Sequence, residues 1–240
     1  MKFILNFLFF IIDFNHKKKI LNFLKESLSN KSLNIIDVGA HYGETLKLFI
    51  KFLSINKIIC YEASKENFIK LKKFIHNLDK KSLDIKIYNK AIGETKKILT
   101  FNQTSESSSS TFSKINFKTN FFKRKNNILK FFFGKGYIIK SYDLELNTLK
   151  EEIESHKLES VDLIKIDTEG FEFEVIKGLQ NNINLVKYIY FEHHFDQMII
   201  KNYTFRDIDQ FLLKAGFKKI FKIKMPFRKT FEYIYVNKRK

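Results

Sequence analysis

Leu33-Asn34-Ile35-Ile36-Asp37-Val38-Gly39-Ala40-His41-Tyr42-Gly43 is an apolar run that ends in an acid and opens into a loop carrying two glycines. A β-strand that leads through such a loop into a helix is the cradle in which open α/β sheets hold a nucleotide-like cofactor. Glycine at 39 and 43 removes the Cβ atoms that would bar close approach of a ligand, and it admits positive φ. The next apolar run, Lys57–Tyr61, ends at Glu62, nineteen residues beyond Gly43. An acid at the tip of the second strand is placed to accept hydrogen bonds from ribose hydroxyls.

The loop also says which cofactor it suits. It lacks the third glycine of G-x-G-x-x-G, it sets His41 and Tyr42 between its two glycines, and an acid precedes them. Crowding and negative charge both disfavour a pyrophosphate. S-adenosylmethionine has no phosphate and carries a sulfonium and an ammonium, so an acidic strand end fits it better.

Outward from this loop the chain alternates strand and helix. Leu33–Asp37 reads as a strand followed by a helix over Glu44–Ser54. Lys57–Glu62 is the second strand, Lys65–Leu78 its helix, and Asp84–Asn89 the third strand. A βαβαβ run of this kind specifies a parallel sheet with right-handed crossovers. Further on, Leu144–Lys157 is expected to be helical, Val161–Asp167 a strand, Phe171–Gln180 a helix and Lys187–Glu192 a strand. Phe205–Ala215 follows as an amphipathic helix that Gly216 stops. Phe217–Ile223 and Thr230–Val236 read as two strands around Pro226.

Residues 94–143 break the rhythm. Two extended segments, Lys97–Asn102 and Gly136–Tyr142, flank a serine-rich run (Ser105–Thr111) and a tract in which Phe117, Phe121, Phe122, Phe131, Phe132 and Phe133 interleave with Lys118, Lys123, Arg124 and Lys130. Such an insertion reads either as a lid that offers apolar packing and basic contacts to a bound molecule, or as an amphipathic cover for the sheet.

The run Val161-Asp162-Leu163-Ile164-Lys165-Ile166-Asp167-Thr168-Glu169-Gly170-Phe171-Glu172, with Ile36–Ala40, Tyr61-Glu62-Ala63-Ser64, Ala91-Ile92-Gly93 and Phe191-Glu192-His193-His194, resembles the FkbM-type methyltransferase family from about Ile35 to Phe217. The resemblance implies an α/β, Rossmann-like class I methyltransferase sandwich, with a mostly parallel seven-stranded sheet and an antiparallel C-terminal hairpin. It also implies S-adenosylmethionine as cofactor and transfer of methyl to a hydroxyl of a sugar, glycolipid or small metabolite. Cofactor contact is then expected from Asp37, Gly39, Ala40, Gly43, Glu62, Ala63, Asn89, Ala91 and Asp167. Acceptor contact is expected from Ser109, Ser110, Glu169 and His193. Where that family usually carries Asn, this chain has His41.

Methyl transfer to oxygen needs a base for the hydroxyl proton. Asp167, Glu192 and His194 are the catalytic candidates, because all lie at strand carboxyl ends, where open sheets bind ligands. Side chains alternate along a strand, so Glu192 and His194 share one face and His193 takes the other. Asp167 is expected to orient acceptor or cofactor and His194 to act as the base. Asp167 or Thr168 could instead cap the helix that starts near Gly170. The acids and histidines offer no compact metal-ligand spacing, and no metal is expected.

Composition bounds the alternatives. The chain has 240 residues, a net charge of +18 and a single cysteine, Cys60, so no disulfide framework exists and a reducing, cytoplasmic setting is expected. The charge attracts polyanions, and nucleic acid is one candidate partner. Base-directed methyl transfer, however, typically uses an N/D-P-P-aromatic loop or a cysteine after a proline. The only proline is Pro226, and Cys60 lies within a strand. A non-catalytic module that binds polyanions or an anionic membrane surface is the remaining class, and joint retention of Asp37, Gly39, Gly43, Glu62, Asp167 and Glu169 argues against it. Residues 3–14 are apolar but too short to span a bilayer, and Asn6 and Asp13 interrupt them. Residues 1–30 are therefore expected to form a helical segment that either packs on the domain of residues 31–240 or lies at the inner membrane surface with Lys17–Lys19 on lipid head groups.

Overall fold

The Ile35-Ile36-Asp37-Val38 stretch forms the centre of strand β1 (Leu33–Val38), which pairs in parallel with β2 (Ile55–Tyr61) on one side and β8 (Val161–Ile166) on the other. The computed structural model describes residues 2–28, 32–78, 83–134 and 136–239; the side chains of residues 2–13, 132 and 133 lie outside that description. Strand β3 (Asp84–Tyr88) extends the sheet beyond β2, and β9 (Val186–His194) extends it beyond β8. Strand β12 (Thr230–Asn237) then runs antiparallel between β9 and the edge strand β11 (Phe217–Lys224). The resulting order is β11-β12-β9-β8-β1-β2-β3, seven strands, mostly parallel, with the antiparallel pair at the C-terminal edge. This is the expected class I methyltransferase sheet.

Alternation along each strand sorts the core into two layers. Ile36, Ile59, Tyr61, Ile164, Ile166, Ile189 and Phe191 face one side, against helices α5 (Leu149–Ser155), α6 (Glu172–Lys177) and α7 (Phe205–Lys214). Ile35, Ile58, Cys60, Leu163, Tyr188 and Ile234 face the other, against α2 (Glu44–Phe52) and α3 (Lys65–His76). Helix α1 (Lys2–Ser27) joins this second layer through Ile20, Leu21 and Leu24, with Leu28 just beyond its end. These buried positions recur at one-turn spacing, so one face of the helix is covered. The expectation for residues 3–14 falls almost wholly on side chains outside the described residues. Among the described residues no helix is long and apolar enough to cross a membrane.

Residues 94–143 fold onto the carboxyl edge of the sheet. Strand β7 (Ile139–Thr148) pairs with β5 (Ile98–Thr104) antiparallel and with β4 (Ala91–Gly93) in parallel. Between β5 and β7 lie a short 3-10 turn at Ser107–Ser109, strand β6 (Lys114–Ile115), which pairs with β10 (Ile199–Ile200), and helix α4 (Asn120–Phe133). Thr119 caps α4 by accepting from the Phe122 N–H, and Gly134 ends it with φ +70°. The helix expected over Leu144–Lys157 begins only at Leu149. Leu144 and Leu146 lie two apart and pair with Leu99 and Ala91, so period-two burial keeps them in β7 until Thr148 caps α5.

Candidate active site

The strand order reverses between β1 and β8, which leaves a crevice beyond their carboxyl ends. A cavity of about 730 Å3 opens there. Its floor contains Gly39 and Ala40 from the loop after β1, Glu62 and Ala63 after β2, Asp167 to Glu169 after β8, and Glu192 and His194 at the end of β9. Ser107–Ser110 and Phe112 cover it from the insertion. The insertion is tied down on the acidic turn: Thr111 Oγ1 donates to Glu169 O at 2.7 Å and Ser113 Oγ to Gly170 O at 2.8 Å.

Both loop glycines let protein approach protein closely, and Gly39 also lines the cavity. Gly39 has φ +80°, and a Cβ there would sit 1.9 Å from the backbone oxygen of Asp167. Gly43, φ +93°, opens α2, and its Cβ would meet the Phe74 ring at 2.6 Å. Asp167 N–H donates to Val38 O, so the glycine loop and the acidic turn are held edge to edge.

Glu62 braces the loop from the other side. Its Oε2 accepts from the His41 N–H and its Oε1 from the Ser64 N–H, each at 2.8 Å. Burial raises its pKa, against the pull of these backbone donors. Asn89 donates to Glu62 O and Ala63 O. It therefore fixes the end of β2 from behind and does not line the cavity; nor do Gly43, Ala91 or the fully buried Asp37. Asp37 acts through Lys165, which lies 3.2 Å from its Oδ1, 3.5 Å from Asp167 Oδ2 and donates to Gly39 O at 3.2 Å. Burial opposes charge on Lys165, but the carboxylates of Asp37 and Asp167 outweigh it and raise its pKa. Lys165 has no role in the sequence-based assignment, although a lysine inside the buried run of β8 was a signal in itself.

The densest chemistry is at the end of β9. His194 Nε2 lies 3.2 Å from Glu169 Oε2 and 3.2 Å from Glu192 Oε1, while its Nδ1 is 3.1 Å from Thr230 Oγ1 and 3.6 Å from Asp196 Oδ2. Burial would push the imidazole pKa down, but Glu169, Asp196 and Glu192 together raise it well above its ordinary value. The carboxyl of Glu192 is itself raised, first by burial and then by the charge of Asp167. The two side chains lie within ion-pair distance, so the proton on one bears on the charge of the other. Glu169, Glu192 and His194 also bring one ligand atom each within 4.8 Å of one another, a spacing a metal ion could bridge.

His193 does not reach the cavity. It takes the opposite face of β9, among Phe195, Tyr203 and Phe205, and burial followed by the charge of Lys201 pushes its pKa down to about 3. It packs among these rings, with Lys201 Nζ 3.4 Å from its Nε2. Ser109 and Ser110 do line the cavity, yet both hydroxyls are engaged: Ser109 Oγ accepts from Lys125 at 2.8 Å, and Ser110 Oγ from the Thr104 N–H at 3.1 Å. A second group went unnoticed in the sequence. His16 of α1 and Tyr190 of β9 both hydrogen-bond Glu232 of β12, and all three line the cavity.

The set fits S-adenosylmethionine by its chemistry. Glu62 is at the cavity wall beside the glycine turn for a ribose, and Asp167, Glu169 and Glu192 supply negative charge for a sulfonium.

A sequence profile of the methyltransferase FkbM domain family matches residues 37–219. Comparison with curated proteins finds no match. Among solved structures, the chain is similar to magnesium protoporphyrin IX methyltransferase from Synechocystis PCC 6803 with bound SAM, at 8% identity and a TM-score of 0.54, covering 95% of this chain and 80% of that one. It is also similar to TrmK of M. capricolum in complex with S-adenosylhomocysteine, at 11% identity and a TM-score of 0.50, covering 92% and 68%. At these identities the likeness is one of fold.

Proposed function

The chain belongs to the FkbM methyltransferase family, and from that premise we propose that it methylates a hydroxyl oxygen of a sugar, glycolipid or small metabolite. It is an S-adenosylmethionine-dependent methyltransferase, and the cofactor supplies an electrophilic methyl group. The observation that carries the hydroxyl reading is the buried Glu192–His194 pair facing the cavity, with Asp167 beside it. A hydroxyl is a poor nucleophile until its proton leaves, so a carboxylate with a raised pKa is the group such a reaction needs.

In this reading Glu62 holds the ribose and Asp167 orients donor and acceptor. Glu192, in place of His194, takes the hydroxyl proton, and the His194 imidazolium 3.2 Å away orients its carboxylate, so the pair titrates as a unit. The cover formed by Ser107–Ser110 and Phe112 keeps water off the methyl group. Cys60 supports oxygen over cytosine chemistry: its thiol is fully buried in β2, and burial pushes its pKa well up, so it supplies no nucleophile.

The test is to incubate the protein with 13C-methyl S-adenosylmethionine and pools of sugars, lipids, amines and RNA, then read the label by NMR. A methoxy signal is the expected result. A methyl group on nitrogen, or on RNA, would overturn the assignment.

A further inference from the structure

The cavity has an acidic floor and a basic rim, and the rim cations are unmatched. Six lysine and arginine side chains line it. Three are paired: Lys165 with Asp37, Lys90 with Glu152 at 2.7 Å, and Lys125 with Glu106. The other three are Lys17 on α1, Arg124 on α4 and Arg228 in the turn between β11 and β12. None of these has a carboxylate within ion-pair distance among the described residues. Three separate elements thus bring free positive charge to one opening.

The choice of arginine adds a second, independent point. The chain carries 44 Lys+Arg, of which only four are arginine: Arg124, Arg206, Arg228 and Arg239. Where lysine serves for nearly every positive charge, two of four arginines on one cavity mark work that lysine does poorly. The guanidinium fork binds carboxylate or phosphate in two parallel hydrogen bonds, which an ammonium cannot do.

Taking the hydroxyl-methylation reading as its basis, we propose that the acceptor carries an oxyanion, phosphate or carboxylate, held by Arg124 and Arg228 with Lys17 adding charge. The polarity of the cavity then orients the acceptor. Its anionic end is repelled by Asp167, Glu169 and Glu192 and drawn to the rim, which leaves a hydroxyl end pointing at the floor. Lys17 and Arg228 lie outside the family-matched segment 37–219, and Arg124 lies in the insertion, so acceptor choice belongs to peripheral elements.

The test uses the full chain saturated with S-adenosylhomocysteine, titrated calorimetrically at fixed ionic strength with pyrophosphate, citrate and, as a neutral control, sucrose. Arg124→Ala/Arg228→Ala is compared with Arg206→Ala/Arg239→Ala, which removes the same charge away from the cavity. One anion is expected to bind and sucrose not, with affinity falling about tenfold or more in the rim pair and less than about twofold in the control pair. Pyrophosphate binding alone assigns a phosphate, and citrate binding alone a carboxylate. Equal losses in both pairs, or no anion binding at all, would overturn the proposal. A matching loss of S-adenosylhomocysteine affinity in the rim pair would assign the arginines to the donor's own carboxylate and also overturn it. Failure of the hydroxyl reading shows elsewhere, as label on nitrogen or as a folded chain that does not bind the cofactor product.

Discussion

The floor and the rim of the cavity are built on different principles. The floor sits on the ends of β1, β2, β8 and β9, where neighbouring backbones meet so closely that Gly39 has no room for a methyl group against Asp167. Its charges are interlocked and mostly buried: Lys165 with Asp37 and the half-buried Asp167, and His194 with Glu169, Glu192 and Asp196. The rim is drawn from α1, α4 and the β11–β12 turn, and its arginines are exposed. A rigid sheet edge suits the cofactor that a whole family shares, whereas peripheral elements can change without disturbing it.

Replacement of Glu192 should separate the two regions most sharply. Glu192→Gln keeps the shape of the floor but removes the proposed proton acceptor. Methyl transfer should fall by about 10²–10⁴-fold while S-adenosylhomocysteine, which lacks the sulfonium charge that Glu192 faces, still binds, as read by turnover and calorimetry side by side.

Gly39→Ala comes next and acts on folding. A Cβ placed 1.9 Å from Asp167 O, on a residue with φ +80°, should cost about 3 kcal/mol or more, seen as a lower urea midpoint.

A pH series on His194 has a smaller effect with a definite sign. Its folded pKa is raised, so its stabilising contribution is complete below the unfolded value of about 6.5 and is lost as pH rises through the folded one. Asp196 is the mirror case: the hydrogen bond and charge of His194 overcome burial and lower its pKa, so its contribution is present above about 3.9 and is lost as pH falls. The melting temperature of the wild type should therefore approach that of His194→Asn as pH climbs above neutrality. A gap that widens instead would mean that the imidazole is not held as a cation by Glu169, Glu192 and Asp196.

Least affected should be stability after changes at the rim. Arg124→Ala and Arg228→Ala remove exposed side chains without ion-pair partners, and thermal denaturation should place each within about 0.5 kcal/mol of wild type.

The same contrast explains what the sequence revealed. The parallel βαβαβ run and the acids at strand ends were legible because they rest on local patterns: period-two burial, a glycine loop, an acid one strand further on; the seven-stranded sheet with its antiparallel edge came from the family resemblance. The separation of His194 from His193 followed from strand alternation alone. What stayed hidden depended on contacts between distant segments. Asn89 looked like a cavity residue by position, but its amide turns back to the carbonyls of Glu62 and Ala63. The link from His16 through Glu232 to Tyr190 joins residues more than two hundred positions apart, and no local pattern announces it. Lys165 was visible as a charge within an apolar strand, yet its meaning came only with Asp37 on the neighbouring strand.

The most direct measurement is calorimetric titration of S-adenosylmethionine into the wild type, Glu62→Ala and Arg124→Ala/Arg228→Ala, with circular dichroism to confirm that each is folded. Binding by the wild type and the rim variant, with loss in folded Glu62→Ala, is the predicted result. Equal affinity in Glu62→Ala, or no binding by the folded wild type, would contradict a cofactor site at the ends of β1 and β2.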